Sequence, residues 1–273
     1  MAPAYGPDGA ALLAVAEKCC REAAQFLRQR ETAFPARAKG PLDYVTEADL
    51  AVEDRVVRAL TAAVPGSAVV GEERGTRPGE GVTWYVDPID GTGNFLRGLP
   101  LACVSVGAAV GGELVAGCVY DIFRDECFTG ADGVPFQVRP PLWLPGPGTV
   151  DAPVVLTDVP LPGRVNAESL EFLGVLLDRV EVRRVYSTAL SLAWVASGRA
   201  DAACNLLIRP WDVAAGAALV RAAGGTYLPV GGDTPQDAPG FVAVGPGKEE
   251  LAGWLAGLLA PVVRATPRGR ASA

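Results

Sequence analysis

The sequence predicts a mixed fold of α-helices and β-strands, in which an α+β part is followed by an α/β part. The chain has 273 residues, of which 49% are hydrophobic, so it can bury a sizeable core. The first 140 residues contain two amphipathic helical patterns, then short strands and a hairpin signal. From about residue 154, strand-like and helix-like segments alternate, which is typical of α/β proteins. We expect one large domain or two closely packed lobes.

The N-terminal half is predicted to begin with two helices. Apolar residues recur at helical spacing over Gly9–Arg30, with charged residues between them. A second helix is predicted to begin at Thr46, because Thr-Glu-Ala-Asp combines a capping residue with acids in the first turn, and to end before Pro65. The glycines at 111–112 predict a hairpin turn. The predicted strands are 68–70, 82–86, 101–110, 113–120 and 126–129.

The C-terminal half follows a proline-rich stretch over residues 139–153, which is predicted to connect two lobes. This divides the chain into an N-terminal α+β lobe (1–140), a C-terminal α/β lobe (150–265) and a disordered tail (266–273). In the second lobe the predicted strands are 154–156, 182–185, 201–206 and 241–244, and the predicted helices are 167–178, 188–197, 212–223 and 248–259.

Composition limits the cellular compartment and the binding partners that we expect for this protein. The net charge of −7 argues against a nucleic-acid partner, because such proteins usually carry a basic stripe. The N-terminus lacks the pattern of a signal peptide, and no apolar run reaches the ~20 residues that span a bilayer. The six cysteines form no CxxC pair, and most lie in apolar runs. We therefore expect a cytoplasmic protein with free thiols and with neither a nucleic-acid nor a membrane partner.

The absence of histidine limits the catalytic mechanisms and metal sites that the chain can provide. Ser-His-Asp and Cys-His nucleophilic systems and histidine-rich zinc sites are all excluded. For a hydrolytic reaction, this leaves carboxylates and metal ions. The acidic composition fits that interpretation, although a modestly acidic balance is also ordinary for a globular protein.

An apolar predicted strand that ends at Val86 is followed by two acidic residues, Asp87 and Asp90, which are three positions apart. Pro88 removes a backbone donor and fixes a turn, and Gly91 permits close approach to the backbone. The amides that follow can lie at a helix N-terminus and bind an anion. A plain Asx turn is the alternative for any isolated pair of this kind. In the longer segment that starts at Asp87, carboxylates suited to a metal ion are nevertheless followed directly by amides suited to a phosphate.

The segment 87–95, DPIDGTGNF, resembles the signature of the inositol monophosphatase family. Three further segments of that family follow the same order along the chain: 43–49 (DYVTEAD), 71–73 (GEE) and 211–216 (WDVAAG) with 223–225 (AGG). The resemblance implies a layered αβαβα sandwich with the active site between the two lobes. It also implies magnesium-dependent hydrolysis of a phosphate monoester by an activated water, and a homodimer.

The resemblance also implies roles for individual residues. Glu72 and Asp87, with the backbone carbonyl of Ile89, are similar to the ligands of one Mg²⁺ in the family. Asp87, Asp90 and Asp212 are similar to the ligands of a second, and two or three ions are expected, since hard cations prefer oxygen ligands. Caps and salt bridges are the alternative for any single acid. The pair expected to activate water is Asp49 and Thr92, which could instead be helix caps.

The remaining predicted site residues contact the phosphate and the alcohol. The amides of Gly91 and Thr92, together with Asp90, are expected to hold the phosphate. The family comparison also indicates substrate contacts by Tyr186, Ser187, Thr188 and Asn205. Tyr186 stands where the family has a glycine and Asn205 where it has an acid, so the pattern of hydroxyls that is recognised is expected to differ.

Three functions are compatible with these residues. The leading prediction is hydrolysis of a phosphate monoester of a small polyol: inositol, another cyclitol or a sugar. The alternatives within the superfamily are a fructose-1,6-bisphosphatase, a 3′(2′),5′-bisphosphate nucleotidase and a histidinol-phosphatase. A non-catalytic metal-binding homologue is a further alternative, which the presence of every expected ligand disfavours.

Overall fold

The computed structural model describes residues 8–29, 36–40, 43–141 and 152–266. Most of the predicted proline-rich connection, and all of the predicted tail except Thr266, lie outside the described residues. Most of the described elements form five layers, in which helices alternate with the two larger β-sheets. This is the predicted αβαβα sandwich.

The N-terminal half forms a small two-stranded sheet, β1 with β2, and a seven-stranded sheet of order β4-β3-β5-β6-β7-β8-β9. Within the larger sheet, β3 and β5 are parallel and the other neighbours are antiparallel. The elements are α1 (Gly9–Arg28), β1 (Ala36–Gly40), β2 (Asp43–Thr46), α2 (Glu47–Ala63), β3 (Ala68–Gly71), β4 (Gly75–Arg77), β5 (Val82–Asp90), α3 (Thr92–Phe95), β6 (Cys103–Val110), β7 (Glu113–Asp121), β8 (Glu126–Ala131) and β9 (Val134–Arg139).

The C-terminal half forms a five-stranded sheet of order β11-β10-β12-β14-β13. Strand β10 is parallel to β11 and β12, and the other two pairs are antiparallel. The elements are β10 (Val154–Leu156), α4 (Ala167–Leu177), β11 (Glu181–Arg183), α5 (Thr188–Ala196), β12 (Ala202–Leu206), α6 (Pro210–Ala222), β13 (Thr226–Val230), β14 (Gly240–Val244) and α7 (Glu249–Ala265).

The helices form three layers around the two sheets. Helices α1 and α2 cover the outer face of the seven-stranded sheet, and α4 and α7 cover the outer face of the five-stranded sheet. Helices α5 and α6 lie between the sheets and share one apolar core with both. That central core joins the predicted lobes. Among the described residues, no helix is both long enough and apolar enough to cross a lipid bilayer.

Two paired glycines let helix α6 approach the seven-stranded sheet closely. Gly107 and Gly117 face each other across β6 and β7. A Cβ atom at Gly117 would lie 2.3 Å from the backbone oxygen of Ala215, and one at Gly107 would lie 2.7 Å from its backbone nitrogen. Only glycine fits such an approach without displacing the helix. The spacing therefore fixes where the N-terminus of α6 lies relative to the end of β5.

The structure adds strands that the periodicity did not predict. Strands β9 and β13 lie at the edges of their sheets, and each contains a proline, Pro135 and Pro229. Proline interrupts the sequence pattern of a strand, yet it is tolerated at a sheet edge, where no neighbour needs its missing N–H. Helix α6 begins at Pro210, two residues before the predicted start, because proline suits the first helical position.

Candidate active site

A cavity of about 550 Å³ opens between the end of β5, the start of α6 and the turn before α5. It brings together residues that are far apart in the sequence, as the resemblance predicts. The described lining residues are Tyr44, Glu72, Asp87, Ile89, Asp90, Gly91, Thr92, Gly93, Asn94, Arg97, Leu99, Leu161, Pro162, Tyr186 and Asp212.

Four of the lining residues, Glu72, Asp87, Asp90 and Asp212, form what we call the acid cluster. Glu72 directly follows β3, and its amide donates to the Val86 carbonyl at 3.2 Å, which holds it beside β5. Asp87 and Asp90 lie at the C-terminal end of strand β5. Asp212 lies in the first turn of α6, where its carboxylate caps the helix by accepting from the Arg209 amide at 2.7 Å. Three separate elements thus direct carboxylates into one cavity.

The electrostatics of the acid cluster favour a cation. Burial raises the pKa of Asp87 well above its ordinary value, and repulsion from Glu72, Asp90 and Asp212 raises it further. The pKa of Asp212 is likewise raised by burial and then by Asp90. Burial raises the pKa of Asp90 to about 6, against the lowering effect of hydrogen bonds to its carboxylate. Cations offset such repulsion between like charges.

The donor set suits a hard cation, since it consists of carboxylates and a backbone carbonyl. In the described part of the chain, no three His, Cys, Asp or Glu side chains already converge at the spacing of a coordination shell. A coordination shell around an ion would therefore form only if these mutually repelling carboxylates moved towards it. The residues fit magnesium in the chemistry of their donor atoms.

Asp49 lies behind Thr92, which lines the cavity, whereas Asp49 is not among the described lining residues. Asp49 is fully buried, and its Oδ2 accepts from the Thr46 amide at 2.7 Å in the capping box that begins α2. Its other oxygen, Oδ1, lies 3.3 Å from the Thr92 hydroxyl, which is also 2.9 Å from the Ile89 carbonyl. Burial raises the pKa of Asp49, and the hydrogen bonds to Thr46 oppose this. Asp49 therefore both caps a helix and contacts Thr92.

Gly91 links the acid cluster to Thr92. It has a φ of 89°, in the left-handed region that glycine adopts readily. A Cβ atom there would lie 2.6 Å from the Leu101 carbonyl oxygen. No other residue fits both restraints, so the turn places Thr92 beside the acids only with glycine at this position.

Ser187 and Thr188 act on Asp90 in this structure. The Ser187 hydroxyl donates to Asp90 Oδ2 at 2.8 Å, and the Ala189 amide donates to the same oxygen at 2.6 Å. A hydrogen bond from the Thr188 backbone also lowers the pKa of Asp90. The start of α5 thus orients one oxygen of Asp90. Neither Ser187 nor Thr188 is among the described residues that line the cavity.

Tyr186 lines the cavity as predicted for a substrate contact, but the structure does not bring Asn205 there. Asn205 is 7% exposed, and its amide nitrogen donates to Asp158 Oδ2 at 3.1 Å. The other oxygen of Asp158 accepts from the amides of Val185 and Tyr186 at 3.1 and 3.0 Å. Asn205 therefore supports the turn that carries Tyr186.

The sequence analysis missed two positioning residues, Asp158 and Asn94. The buried Asn94 amide donates to the carbonyls of Leu101 and Val185, both at 2.8 Å, and so ties the turn after β5 to the turn before α5. Asp158 follows β10, whose parallel neighbours β11 and β12 end nearby. Carboxyl ends of parallel strands are the usual location of ligand sites, and this signal could have pointed to Asp158.

Comparisons with known proteins show the family to which the chain belongs. The model of the inositol monophosphatase family matches residues 8–264. The chain belongs to the inositol monophosphatase family. Inositol-1-monophosphatase from Mesorhizobium japonicum is 38% identical over 212 residues, covering 76% of this chain and 80% of that protein. Nus factor SuhB from Escherichia coli K12 is 34% identical over 223 residues, covering 78% and 83%.

The solved structures show the same family fold. The extragenic suppressor protein suhB from Bartonella henselae superimposes with a TM-score of 0.80 at 31% identity, covering 91% of this chain and 98% of that one. Membership of the inositol monophosphatase family supports phosphatase activity, and metal binding is typical of the family.

Proposed function

We propose that this protein hydrolyses a phosphate monoester of a small polyol, such as inositol, another cyclitol or a sugar, with Mg²⁺ as cofactor. The observation that carries the proposal is the contact of Thr92, which lines the cavity together with the acid cluster, with the buried Asp49 behind it. Such a site combines a means of activating water with a means of binding a phosphate through a cation.

The acid cluster would hold two or three Mg²⁺ ions. Glu72, Asp87 and the Ile89 carbonyl would form one set of ligands, and Asp87, Asp90 and Asp212 would form a second, in which Asp87 would take part again. Magnesium, when bound, supplies Lewis-acid polarisation of the phosphate and of the attacking water. Ser187 and the Ala189 amide hold one oxygen of Asp90, which leaves its other oxygen for a ligand.

Thr92 and Asp49 would take up the proton of the attacking water. The Thr92 hydroxyl has one proton, so it can donate either to Ile89 or to Asp49 at any moment. When it donates to Asp49, its lone pairs are free to accept from water, and the raised pKa makes Asp49 a better acceptor. The water oxygen then bonds to phosphorus and the ester P–O bond breaks. The leaving alkoxide takes a proton from solvent water, and Asp49 later releases its proton to solvent.

The remaining predicted residues position the substrate. The amides of Gly91 and Thr92 are proposed to hold the phosphate together with Asp90, and Tyr186 to contact the alcohol. Ser187 and Thr188 support Asp90, and Asn205 acts through Asp158 on the Tyr186 turn. We also propose a cytoplasmic homodimer that acts on a small molecule, with no nucleic-acid or membrane partner.

Release of inorganic phosphate tests the proposal. Inositol 1-phosphate, sugar phosphates, fructose 1,6-bisphosphate, adenosine 3′,5′-bisphosphate and histidinol phosphate are each incubated with Mg²⁺ and with a chelator. We expect release from at least one ester that requires Mg²⁺ and is lost in Asp90→Asn. The matched control is Asp178→Asn, since Asp178 is an exposed acid at the end of α4 and does not line the cavity.

The outcomes separate the candidate functions. The ester that is cleaved distinguishes a polyol phosphatase from the related bisphosphatases, nucleotidases and histidinol-phosphatases. Full activity of Asp90→Asn would remove the metal assignment. Failure to cleave any of the esters would favour an untested cyclitol-like substrate if Mg²⁺ still binds. If Mg²⁺ does not bind either, it would favour a non-catalytic role, which the name Nus factor SuhB leaves open for several relatives.

A further inference from the structure

The cavity has two chemically different ends. The acid cluster and Thr92 are buried or half-buried, and we call them the inner end, where the phosphate would bind. The outer end, which we call the mouth and which contains the exposed lining residues, is formed by Tyr44, Arg97, Leu99, Leu161, Pro162 and Tyr186. Among the described lining residues, Arg97 is the one charged side chain outside the acid cluster. The mouth is therefore mainly apolar and aromatic.

Two residues of the mouth expose apolar surface to solvent. Leu99 and Tyr186 are each 46% exposed, more than a large apolar side chain of a folded domain usually is. Apolar surface that lines a concave site is favourably covered when a ligand binds. The walls of the mouth thus offer a surface on which an apolar group can be buried.

Tyr186 is held in place at a conformational cost. Its φ of 53° lies in the left-handed region, which disfavours a bulky side chain. The Asp158 carboxylate fixes this turn by accepting from the Tyr186 amide at 3.0 Å. The Arg184 guanidinium lies over the Tyr186 ring at 5.1 Å from its centre. A glycine would adopt the same turn without strain, whereas here the Asp158 hydrogen bond and the Arg184 contact hold the strained turn and place the aromatic ring at the mouth.

Several polar side chains near the mouth already bond to the protein. The Asn205 amide donates to Asp158 at 3.1 Å, and the Asn94 amide donates to two backbone carbonyls. Arg97 Nη1 donates to the Gly93 carbonyl at 2.7 Å. The polar groups in the lining of the mouth are thus the hydroxyls of Tyr44 and Tyr186 and the other N–H groups of Arg97, whereas its rings and aliphatic groups suit a planar apolar group.

The size of the cavity leaves room for such a group. At about 550 Å³, the cavity falls within the range of roughly 300–1,000 Å³ that encloses drug-sized ligands. A phosphate and a small polyol ring fill only part of that space. A substituent on the alcohol can therefore reach the mouth while the phosphate lies at the acid cluster.

We propose that Tyr186, Leu99 and Leu161 form a second subsite, which binds a planar aromatic ring carried by the alcohol part of the phosphate ester. The inference rests on the proposed phosphatase function and adds a substrate class to it: polyol phosphates with an aromatic substituent. The ring stacks on Tyr186 and covers the exposed face of Leu99.

Two esters that differ only in the substituent test the subsite. 3-Methoxypropane-1,2-diol 1-phosphate and 3-phenoxypropane-1,2-diol 1-phosphate share the reacting half and the ether oxygen. In the presence of Mg²⁺, we expect kcat/KM to be about two- to tenfold higher for the phenoxy ester, since an aromatic pair contributes roughly that factor. Tyr186→Gly and Leu99→Ala should each bring the ratio of the two kcat/KM values towards one. Leu177→Ala is the matched control, because Leu177 is an exposed leucine outside the cavity.

Binding of the corresponding phosphonates separates failure of the subsite from failure of the phosphatase function. Their C–P bond is not hydrolysed, so isothermal titration reports affinity without turnover. A tighter Kd for the phenoxy phosphonate that is lost in Tyr186→Gly supports the subsite even if neither ester is cleaved. Equal kcat/KM and Kd values for the two substituents in the unmodified protein, or a preference that Tyr186→Gly leaves unchanged, would overturn it.

Discussion

Without divalent cations, the protein is expected to lose stability as the pH rises from about 5 to about 7.5. The cause is Asp90, whose pKa is raised by burial from the ordinary 3.8 to about 6. A folded state with a raised carboxyl pKa binds more protons than the unfolded chain. Its stability therefore falls as the pH rises from the unfolded pKa through the folded one. Asp87 and Asp212 act in the same direction.

The magnitude follows from the pKa of Asp90 alone. At about 1.36 kcal/mol per pH unit, the full cost of ionising Asp90 in the folded state is about 3 kcal/mol. About half of this, ~1.4 kcal/mol, is lost between pH ~5 and pH ~7.5. For a chain of this length, that corresponds to a decrease in Tm of about 3–5 °C. Added Mg²⁺ should remove most of the decrease, because it neutralises the repulsion among the carboxylates.

Thermal unfolding in a chelator and in Mg²⁺, across this pH range, is the appropriate assay. The control is Asp90→Asn, in which the amide oxygen can still accept from Ser187 and the Ala189 amide but no longer titrates. This variant should show a smaller pH dependence of Tm in the chelator than the unmodified protein. A chelated protein that becomes more stable as the pH rises, or an unchanged slope in Asp90→Asn, would refute the electrostatic account of the acid cluster.

Three further predictions concern the stability of the fold, and urea unfolding measures each of them. Gly117→Ala should destabilise the fold by about 1–3 kcal/mol and lower activity, because its Cβ would lie 2.3 Å from a backbone oxygen of α6. As a control, Gly174→Ala in α4 places its Cβ within 4 Å of no atom and should stabilise the fold by about 0.5–1 kcal/mol. Asn94→Ala should cost about 1–3 kcal/mol, since two carbonyls lose their donor. Arg199→Ala breaks a bidentate, largely buried ion pair with Glu126 and should cost about 1.5–3 kcal/mol, while Lys18→Ala breaks an exposed pair and should change stability by less than about 0.5 kcal/mol.

The sequence was most informative where structure is set locally. The Thr46 cap can be predicted from the sequence because its partner, Asp49, lies three residues away, and the structure shows both hydrogen bonds of the capping box. The turn at Gly91 can be predicted because glycine, carboxylates and Thr92 follow one another. Helix α1 can be predicted from the spacing of its apolar residues, and the structure has it at Gly9–Arg28. In each case, short-range contacts decide the conformation.

Residues whose partners lie far along the chain could not be predicted in the same way. Asp158 joins Tyr186, which is 28 positions away, to Asn205, which is 47 positions away. That contact depends on the order β11-β10-β12 in the sheet, which no local pattern encodes. For the same reason, the exchange of an acid for Asn205 suggested altered contacts with hydroxyls, whereas the structure uses its amide to support the backbone of Tyr186.

Helix α6 shows how the layered fold determines the geometry of the acid cluster. Its first turn carries Asp212, while Glu72, Asp87 and Asp90 belong to the seven-stranded sheet and the turn that follows β3. The distance between these groups is therefore the distance between a helix and a sheet, which the paired glycines Gly107 and Gly117 keep short. A side chain at either glycine would push helix α6 away from the sheet. This would move the carboxylate of Asp212 away from the other three, although no residue of the cavity is altered. The proposed cation site therefore depends on these two glycines as well as on the acids, although the glycines do not line the cavity.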